Sequence, residues 1–298
     1  MKKIIIALVV IIIIGFGIYF ITKSLSATKN KNVNPATQET NANATVEQKT
    51  GELVIGKSIE GRDIIAYRYG TGSAEILFVG GIHGGYEWNT ALVAYQLTNY
   101  LKENPSVVPN NIKVTVIPVL NPDGLNKIMG TTTENFAPAK MALALGDTVP
   151  GRFNANNVDL NRNFDCDWQA AGKWQNKTVN GGSAVFSEPE SLAIKNYAET
   201  NKPKAVVVWY SSAGGVYASS CHNGVSTETN TLTKIYADAS GYPAYASFDF
   251  YAITGDMVNW LAKNNIPAIS VLLTNHTDTE WTKNQKGIEA VLKYYSQK

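Results

Sequence analysis

The sequence has few of the residues that cross-link a chain or bind metal ions in clusters, with two cysteines, three histidines and four methionines among 298 residues. Two thiols alone make a poor structural zinc site. We therefore predict that Cys166 and Cys221 form one disulfide in an oxidising compartment, with two free thiols as the alternative. The sequence also shows no internal repeat.

Charge is scarce as well. Lys, Arg, Asp and Glu make up 17% of the chain and the formal net charge is +2, so no strong field favours a nucleic acid or an acidic surface as partner. We expect no nucleic-acid binding. Hydrophobic residues, at 44%, are abundant enough for a well-filled core, and the composition lacks the marks of disorder or collagen.

An uncharged apolar run stands at the N-terminus. Met1, Lys2 and Lys3 precede residues 4–22, which at ~1.5 Å per helical residue are long enough to cross a bilayer. We predict an uncleaved membrane anchor over residues 1–23, because the run exceeds the ~7–15 apolar residues of a signal peptide. A signal peptide cleaved near residues 24–26 (SLS) is the alternative.

The segments after this run differ in composition. Lysines on both sides of the run leave its orientation undecided, but N-terminal segments of this form normally export the rest of the chain, so we expect an extracytoplasmic domain. Residues 24–50 are rich in Asn, Thr, Ala, Gln and Lys, which predicts a flexible linker. We predict one folded domain over residues 51–298.

Strand-like and helix-like patterns alternate in this domain. Apolar runs predict buried strands at residues 74–79, 114–120, 205–210 and 267–273, with helices between them. This alternation predicts a single α/β domain whose mixed, mostly parallel sheet carries helices on both faces. The turn-forming residues 121–124 (NPDG) predict the start of a long irregular segment that ends near Trp168 and has a functional role.

Two helix starts carry capping signals. Ser187 and Glu190 fit a capping box ahead of a helix that ends near Asn201. Thr282 and Gln285 fit a second one ahead of the closing helix, whose apolar residues fall on one side.

A histidine and a glutamate come directly after the first predicted strand. Residues 80–88 (GGIHGGYEW) place His83 and Glu87 at the carboxyl edge of the sheet, where α/β proteins bind ligands. Imidazole nitrogen and carboxylate oxygen are both zinc donors, so the pair predicts metal ligands. The alternative is a hydrogen-bonded turn histidine and a favourable acid at a helix N-terminus.

With later segments, this motif resembles the zinc carboxypeptidases of the carboxypeptidase A type over nearly all of residues 51–298. The later segments, in the family's order, include residues 121–124 (NPDG) and 158–164 (VDLNRNF). The resemblance implies one zinc ion bound by His83 and Glu87, and a partner that is a peptide with a free C-terminal carboxylate.

The resemblance also implies roles for four further residues. Asn161 and Arg162 match the pair that holds the substrate's terminal carboxylate, to which a guanidinium forms two parallel bonds. Arg152 is similar to the arginine that polarises the scissile carbonyl and steadies the oxyanion. Tyr251 matches the mobile tyrosine that closes over bound substrate. The alternatives are a surface salt bridge for Arg162 and an ordinary aromatic side chain for Tyr251.

Three departures from the family's pattern affect the implied chemistry. His83 and Glu87 are separated by three residues instead of two, so a small bulge is needed to bring both to one ion. Tyr210 stands where the family has its third zinc ligand, a histidine, and a phenol with a pKa of about 10 is a poor ligand at neutral pH. Leu272 stands where the family has its general-base glutamate, whose loss typically costs ~10²–10⁴ in rate.

Other polar residues offer weaker alternatives. His276 and Glu280 could replace the lost groups if their loop folds back, whereas the alternative for both is a polar loop that caps the last helix, and His222 is interpreted as a polar loop residue too. A serine hydrolase that uses Ser211 or Ser212 is disfavoured, because neither lies in a Gly-x-Ser-x-Gly segment.

Two functional hypotheses remain. The first is a zinc-dependent carboxypeptidase that acts on peptides or on the stem peptides of a cell wall. The second is a catalytically silent peptide-binding module, a pseudoenzyme, held at the membrane. Asn161 and Arg162 need neither the third metal ligand nor the general base, so their presence beside Tyr210 and Leu272 favours binding over turnover.

Overall fold

The computed structural model describes residues 51–136 and 143–298. The predicted membrane anchor over residues 1–23 and the predicted linker over residues 24–50 lie outside the described residues. Within the two described ranges, no helix is both long and apolar enough to span a bilayer.

The described residues form ten strands and seven α-helices. The strands are β1 (Gly51–Lys57), β2 (Asp63–Tyr69), β3 (Ala74–Val79), β4 (Ile112–Ile117), β5 (Ala171–Trp174), β6 (Lys177–Asn180), β7 (Ala205–Ser211), β8 (Gly215–Ala218), β9 (Ala244–Tyr245) and β10 (Ala268–Leu273). The helices are α1 (Trp88–Glu103), α2 (Pro122–Met129), α3 (Leu145–Thr148), α4 (Pro189–Asn201), α5 (Thr227–Ser240), α6 (Met257–Lys263) and α7 (Trp281–Ser296).

Eight of the strands form one sheet in the order β1-β2-β4-β3-β7-β10-β8-β9. The central neighbours β4, β3, β7 and β10 are parallel, while β1, β2 and β8 join antiparallel. Strand β9 pairs in parallel with β8, and β5 and β6 form a separate hairpin. The predicted mixed, mostly parallel sheet is therefore confirmed.

Two apolar clusters cover the two faces of this sheet. On one face, Leu97 of α1, Tyr236 of α5 and Ile288 of α7 pack on the alternate strand residues that include Trp209. On the other face, α4 and α6 cover the residues in between, including Tyr210. Because side chains alternate along a strand, the continuous apolar runs of the central strands supply both clusters. Helices on both faces are also confirmed.

The segment that begins at residue 121 differs from its prediction. Strand β4 ends at Ile117, earlier than predicted, and Asn121 caps helix α2 by accepting a hydrogen bond from the Gly124 nitrogen at 2.8 Å. The predicted irregular segment is thus helical at its start, over Leu125–Met129. Asn and Pro favour helix starts as well as turns, and here a helix forms.

Both predicted capping boxes are wrong. Helix α4 begins one residue later than predicted, with Glu188 as its N-cap residue and no capping bond from its side chain. Glu190 instead accepts hydrogen bonds from the Ile59 nitrogen and from Asn154 Nδ2. Glu280 is the N-cap residue of α7, so the expected cap lies inside the helix. Tertiary partners, which the local sequence does not show, decide how these polar groups are used.

Candidate functional site

A cavity of about 1240 Å³ opens beyond the carboxyl ends of the central parallel strands. Its wall contains every site residue that the sequence indicates: His83, Glu87, Arg152, Asn161, Arg162, Tyr210, Tyr251 and Leu272. The convergence has a topological cause, because the loops after parallel strands meet at the same edge of a sheet.

His83 and Glu87 lie together despite their additional spacing. A short 3-10 turn at Gly84–Glu87 brings His83 Nδ1 within 2.9 Å of Glu87 Oε1, and both side chains are buried. Gly84 has a φ of +44°, and a Cβ there would come within 2.7 Å of the Gly151 oxygen. The glycine turn therefore absorbs the additional residue in a space too tight for a side chain.

Three buried polar atoms of this pair lack hydrogen-bond partners among the described residues. Within the described ranges, no hydrogen bond of normal geometry is made by either nitrogen of His83 or by Oε2 of Glu87. Buried polar groups in proteins are normally satisfied, so orphaned atoms require an explanation. Their chemistry suits two donors to a metal ion.

Tyr210 does not provide the third donor. Its buried ring lies 5.7 Å from the ring of His83, and its hydroxyl makes a long hydrogen bond of 3.4 Å to Asn161 Oδ1. Burial raises the pKa of Tyr210 well above its ordinary value, so the side chain is a neutral phenol at neutral pH. In the register of β7 and β10, Leu272 is its direct partner, so these two positions lie side by side.

The donor set is consequently too small for a catalytic zinc ion, which normally has three protein ligands. In the described part of the chain, one set of three potential ligands lies within 4.8 Å of one another, namely Cys166, Cys221 and His222. A disulfide joins its two sulfur atoms, which removes them as thiolate ligands. The residues present therefore do not fit a catalytic zinc site with three protein ligands.

Asp159, which the sequence motif contains but to which no role was assigned, links the two sides of the site. It accepts a hydrogen bond from Arg152 Nε at 2.9 Å and forms an ion pair with Arg152 Nη2 at 2.8 Å, and its Oδ1 lies 3.4 Å from His83 Nε2. Burial acts to raise the pKa of Asp159, but the charge of Arg152 and the contact with His83 hold it well below its ordinary value. The sequence signal that could have indicated a role for Asp159 is its position in the same motif, two residues before Asn161.

Arg152 makes further contacts besides this ion pair. Its guanidinium carbon lies 4.5 Å from the centre of the Trp174 ring and its Nη1 lies 3.8 Å from Glu87 Oε1. The arginine expected to stabilise an oxyanion thus forms a buried ion pair with Asp159. Two of its donor nitrogens already point to one carboxylate oxygen.

Arg162 is buried and lines the cavity. Its Nε donates to the Lys173 oxygen at 2.8 Å and its Nη1 donates to the Asn161 oxygen. Arginine carries five N–H donors, so N–H groups on Nη1 and Nη2 remain for a ligand carboxylate. Gly255, at a φ of +62°, allows close approach, because a Cβ there would lie 2.3 Å from the Arg162 oxygen. The salt-bridge alternative for Arg162 has no support among the described residues.

The side chain of Asn161 is engaged within the protein. Its Nδ2 donates to Asp256 Oδ2 at 2.8 Å, and its Oδ1 accepts from the Met257 nitrogen at 3.1 Å. Asp256, which the sequence did not indicate, is separated from Asn161 by 95 residues. Such a contact between distant residues has no local sequence signal.

Aromatic rings form the rim of the cavity. The ring of Tyr251 lies 5.9 Å from the Arg162 guanidinium carbon and 5.1 Å from the ring of Phe248, which in turn contacts the exposed Phe250. Burial raises the pKa of Tyr251, so its hydroxyl is neutral at neutral pH. Tyr251 therefore lies beside the predicted carboxylate anchor.

The weaker candidates separate clearly. His276 lines the cavity, its ring 4.7 Å from that of Tyr86, and burial lowers its pKa. Glu280 accepts hydrogen bonds from Tyr242 Oη and the Thr274 nitrogen, both at 2.8 Å, and so lies in the fold as the alternative describes. Ser211 donates to Asn89 Oδ1, in no catalytic triad. The loop therefore brings His276 to the cavity wall and leaves Glu280 outside the cavity.

The predicted disulfide is present between Cys166 and Cys221, with a Cα–Cα distance of 6.1 Å. Both cysteines line the cavity, and the Cys166 oxygen accepts a hydrogen bond from the Gly255 nitrogen at 2.7 Å. The disulfide links the segment after Arg162 to the cavity wall. His222 beside it is exposed, 3.0 Å from Asp167 Oδ1, as expected of a polar loop residue.

Comparison with known proteins places this geometry in context. The family model described as zinc carboxypeptidase matches residues 40–293. Among curated proteins, gamma-D-glutamyl-L-diamino acid endopeptidase 1 of Lysinibacillus sphaericus is 25% identical over 217 residues, which cover 66% of this chain and 54% of that protein. Carboxypeptidase Z of Gallus gallus is 30% identical over 185 residues, or 57% of this chain and 26% of that protein. The chain thus spans about half of the first relative and a quarter of the second.

Solved structures with the same fold include the murein-tripeptide amidase MpaA of Escherichia coli O157, with a TM-score of 0.57 and 20% identity, covering 84% of this chain and 93% of that one. The carboxypeptidase A of Helicoverpa armigera has a TM-score of 0.61 and 19% identity, covering 83% and 67%. At this identity the likeness is evidence for the fold alone.

Proposed function

The chain belongs to the zinc carboxypeptidase family, and we propose that its domain binds the C-terminal carboxylate of peptides without hydrolysing them. One observation carries the proposal: Arg162 lines the cavity with N–H groups to spare, whereas Tyr210 and Leu272 pair side by side where a third ligand and a general base would be needed.

Binding depends on the buried charges of the cavity. A peptide carboxylate that reaches Arg162 exchanges water for charge-assisted hydrogen bonds in a desolvated site, where such bonds are strong. Tyr251 can pack over the bound end because its ring already lies near the guanidinium. Asn161 lies next to the anchor, with one amide N–H still available after its bond to Asp256.

Two groups that hydrolysis would require, a third metal ligand and a general base, are missing from this arrangement of residues. The family implies a zinc cofactor, but His83 and Glu87 offer two donors and the neutral phenol of Tyr210 offers none that suits the ion. Leu272 cannot accept a proton from water or return it to a leaving amine. The proposed function therefore includes no hydrolytic step.

The ligand class and the location extend the proposal. The relatives named as a murein-tripeptide amidase and a gamma-D-glutamyl-L-diamino acid endopeptidase support a cell-wall peptide as ligand. The disulfide supports a domain outside the cytoplasm, because disulfides persist in oxidising compartments. A membrane anchor over residues 1–23 would hold the domain near the wall.

The test measures metal content, hydrolysis and binding on the full-length protein. After incubation with zinc and removal of excess, we expect less than stoichiometric metal and no release of C-terminal residues from peptides. A peptide with a free carboxylate should bind at least about tenfold more tightly than the same peptide with a C-terminal amide. Chelator-sensitive release of the last residue would contradict the proposal, as would equal affinity for acid and amide.

A second candidate is a hydrolase in which His276 completes the metal site. It is favoured by the orphaned atoms of His83 and Glu87 and by the unpartnered, buried Nδ1 of His276 within the described ranges. Movement of the loop that carries His276 would be required, since these three side chains do not form a close set. Stoichiometric zinc that is lost in a His276→Ala variant would identify this candidate, with His222→Ala as the exposed control.

A further inference from the structure

The disulfide in the wall of the cavity lies beside a third potential metal ligand. One ligand atom from each of Cys166, Cys221 and His222 lies within 4.8 Å of the other two, and all three residues line the cavity. Thiolate sulfur and imidazole nitrogen are donors that suit zinc. Two of these donors are joined as a disulfide, so the set is complete only when that bond is reduced.

Asp167, which lines the same cavity, supports the histidine of this set. Its Oδ1 lies 3.0 Å from His222 Nε2, and its Oδ2 lies 3.9 Å from Cys166 Sγ. A histidine that binds a metal through one ring nitrogen usually donates the N–H of the other to a carboxylate, which fixes the ring and raises its basicity. With Asp167 at Nε2, the other ring nitrogen of His222 is available to a metal ion.

The backbone at these two residues has an uncommon conformation. Asp167 and His222 directly follow the two cysteines, and both have left-handed φ values, +52° and +65°. Few residues other than glycine adopt this conformation, and such strain clusters at functional sites. Here it occurs where two pairs of sequence neighbours meet, although their cysteines are separated by 55 residues.

The spacing of the cysteines suits an ion as well as a disulfide. Zinc–sulfur bonds are ~2.3 Å long, so two thiolates on one tetrahedral ion lie roughly 3.8 Å apart. The Cα atoms of Cys166 and Cys221 are 6.1 Å apart, so rotation of the two side chains reaches this sulfur separation. Both cysteines are buried but line the cavity, which gives a reductant and an ion a route to the sulfur atoms.

We propose that Cys166, Cys221 and His222, supported by Asp167, form a zinc site when the disulfide is reduced. A dithiol reductant supplies two electrons and two protons and becomes a disulfide, while the two cysteines become thiols. Zinc then displaces both thiol protons, and water completes its coordination. The site uses no atom of His83 or Glu87, and it goes beyond the proposed function because it depends on neither peptide binding nor hydrolysis.

The zinc ion replaces the disulfide as the cross-link between the segment after Arg162 and the loop that carries Cys221. The Cys166 oxygen accepts a hydrogen bond from the Gly255 nitrogen at 2.7 Å, and the Phe164 nitrogen donates to the Gly255 oxygen at 3.0 Å. Loss of both cross-links therefore loosens a part of the wall on which other segments depend. Zinc should restore stability to the reduced protein.

The first test uses cobalt(II) as a spectroscopic probe of the zinc site in the full-length protein. The protein is reduced with dithiothreitol, freed of it without oxygen and titrated with cobalt(II). We expect one equivalent to bind with the near-ultraviolet absorption of a thiolate–cobalt bond, which zinc then abolishes. The disulfide-bonded protein should lack this absorption even where cobalt binds at His83 and Glu87, because neither residue contains sulfur. Reduced protein without the absorption would overturn the proposal.

Variants at exposed positions test the other two residues. In reduced His222→Ala we expect the cobalt affinity to fall at least about 100-fold, and in Asp167→Asn about tenfold. Asn223→Ala is the matched control, because it removes an exposed polar side chain next to His222 and should change the affinity by less than about twofold. Unchanged affinity in His222→Ala would show that the thiols bind the ion alone and would overturn the three-ligand site. A loss in Asn223→Ala as large as that in His222→Ala would overturn it too.

Thermal unfolding gives a second readout if reduction itself loosens the protein. Metal binding stabilises the folded state, so zinc should raise the Tm of the reduced protein. The rise should be smaller in a double variant, Cys166→Ser with Cys221→Ser, which lacks both thiolates. An equal rise in the two proteins would overturn the proposal, as would the absence of any rise in the reduced protein.

Discussion

The loop side and the strand side of the cavity differ in the groups that they retain. The loop side, residues 152–162, carries a buried network in which Arg152 and Asp159 are paired and Arg162 keeps free donors. The strand side, where β7 and β10 end, carries Tyr210 and Leu272, which belong to the apolar core cluster beneath the sheet. The loop side is thus built from paired charges, whereas the strand side is part of the apolar core.

The difference indicates which groups depend on each other. The buried charges of the loop side compensate one another, so removal of one would leave another unpaired at high cost. On the strand side, a phenol and a leucine pack without needing a charged partner. Under the proposed function, the recognition groups of the loop side thus do not depend on the groups of the strand side.

The largest effect is expected from restoring the strand side. Tyr210→His together with Leu272→Glu should bind zinc and release C-terminal residues in a chelator-sensitive way, at least about 100-fold faster than either single variant. The two single variants are the controls, because each supplies only one of the missing groups. Metal analysis and product release measure the outcome. A metal-free, inert double variant would contradict the equivalence of these two strand positions with the missing groups.

Breaking the loop side should cost stability. Asp159→Asn leaves Arg152 with only the more distant Glu87 as a charged partner and should lower the free energy of unfolding by about 3–5 kcal/mol at pH 7. Denaturant unfolding measures this value. Asp165→Asn, at an exposed ion pair with Lys263, is the control and should change it by less than about 0.5 kcal/mol.

The same variant has a predictable pH dependence. The pKa of Asp159 is lowered in the folded protein, so its stabilisation is present above the unfolded value of about 3.9 and is lost as the pH falls through the lower folded value. The stability difference between the protein and Asp159→Asn should therefore shrink on acidification below about pH 4. A difference that stays constant from pH 7 to acid would argue against the ion pair.

Removal of Arg162, the proposed carboxylate-binding residue of the loop side, should lower peptide affinity. Arg162→Ala should weaken binding of a peptide with a free carboxylate by about 2 kcal/mol or more, which is at least about 30-fold, without affecting the weaker binding of the amide form. Calorimetric titration measures both. Arg68→Ala, on strand β2, removes an equal charge as the control. A uniform loss for acid and amide would indicate structural damage instead.

The smallest effect concerns the rim. Tyr251→Phe keeps the ring near Arg162 and should change peptide affinity by less than about threefold, whereas Tyr251→Ala removes the contact and should cost about 0.5–2 kcal/mol. The same titration measures both variants. A larger loss in the phenylalanine variant than in the alanine variant would exclude a role for the ring.

The central fold could be predicted because its strands are continuous apolar runs. Strand β3 has the predicted bounds, and β7 and β10 differ from theirs by one residue. The edge pair β1 and β2 escaped prediction, since its strands are only partly buried and carry weak patterns. The first capping-box prediction was wrong because Glu190 accepts a hydrogen bond from the nitrogen of Ile59, 131 residues away.

The site was predictable to the same extent. Motif order was enough to indicate eight of the residues that line the cavity, including Tyr210 and Leu272 on adjacent strands. It could not show that Asn161 is bonded to Asp256 or that Arg152 faces Asp159. Those contacts depend on how distant segments pack. Local sequence carries the residue type but not its partner.

The pairing of Tyr210 with Leu272 across β7 and β10 also has a consequence for the design of ligands directed at this cavity. Compounds that owe their affinity to a metal-chelating group should lose that contribution here, whereas small dicarboxylates or peptide mimics directed at Arg162 should keep theirs. A pair of compounds that differ only in the chelating group could therefore separate this protein from metal-loaded relatives in a mixed extract.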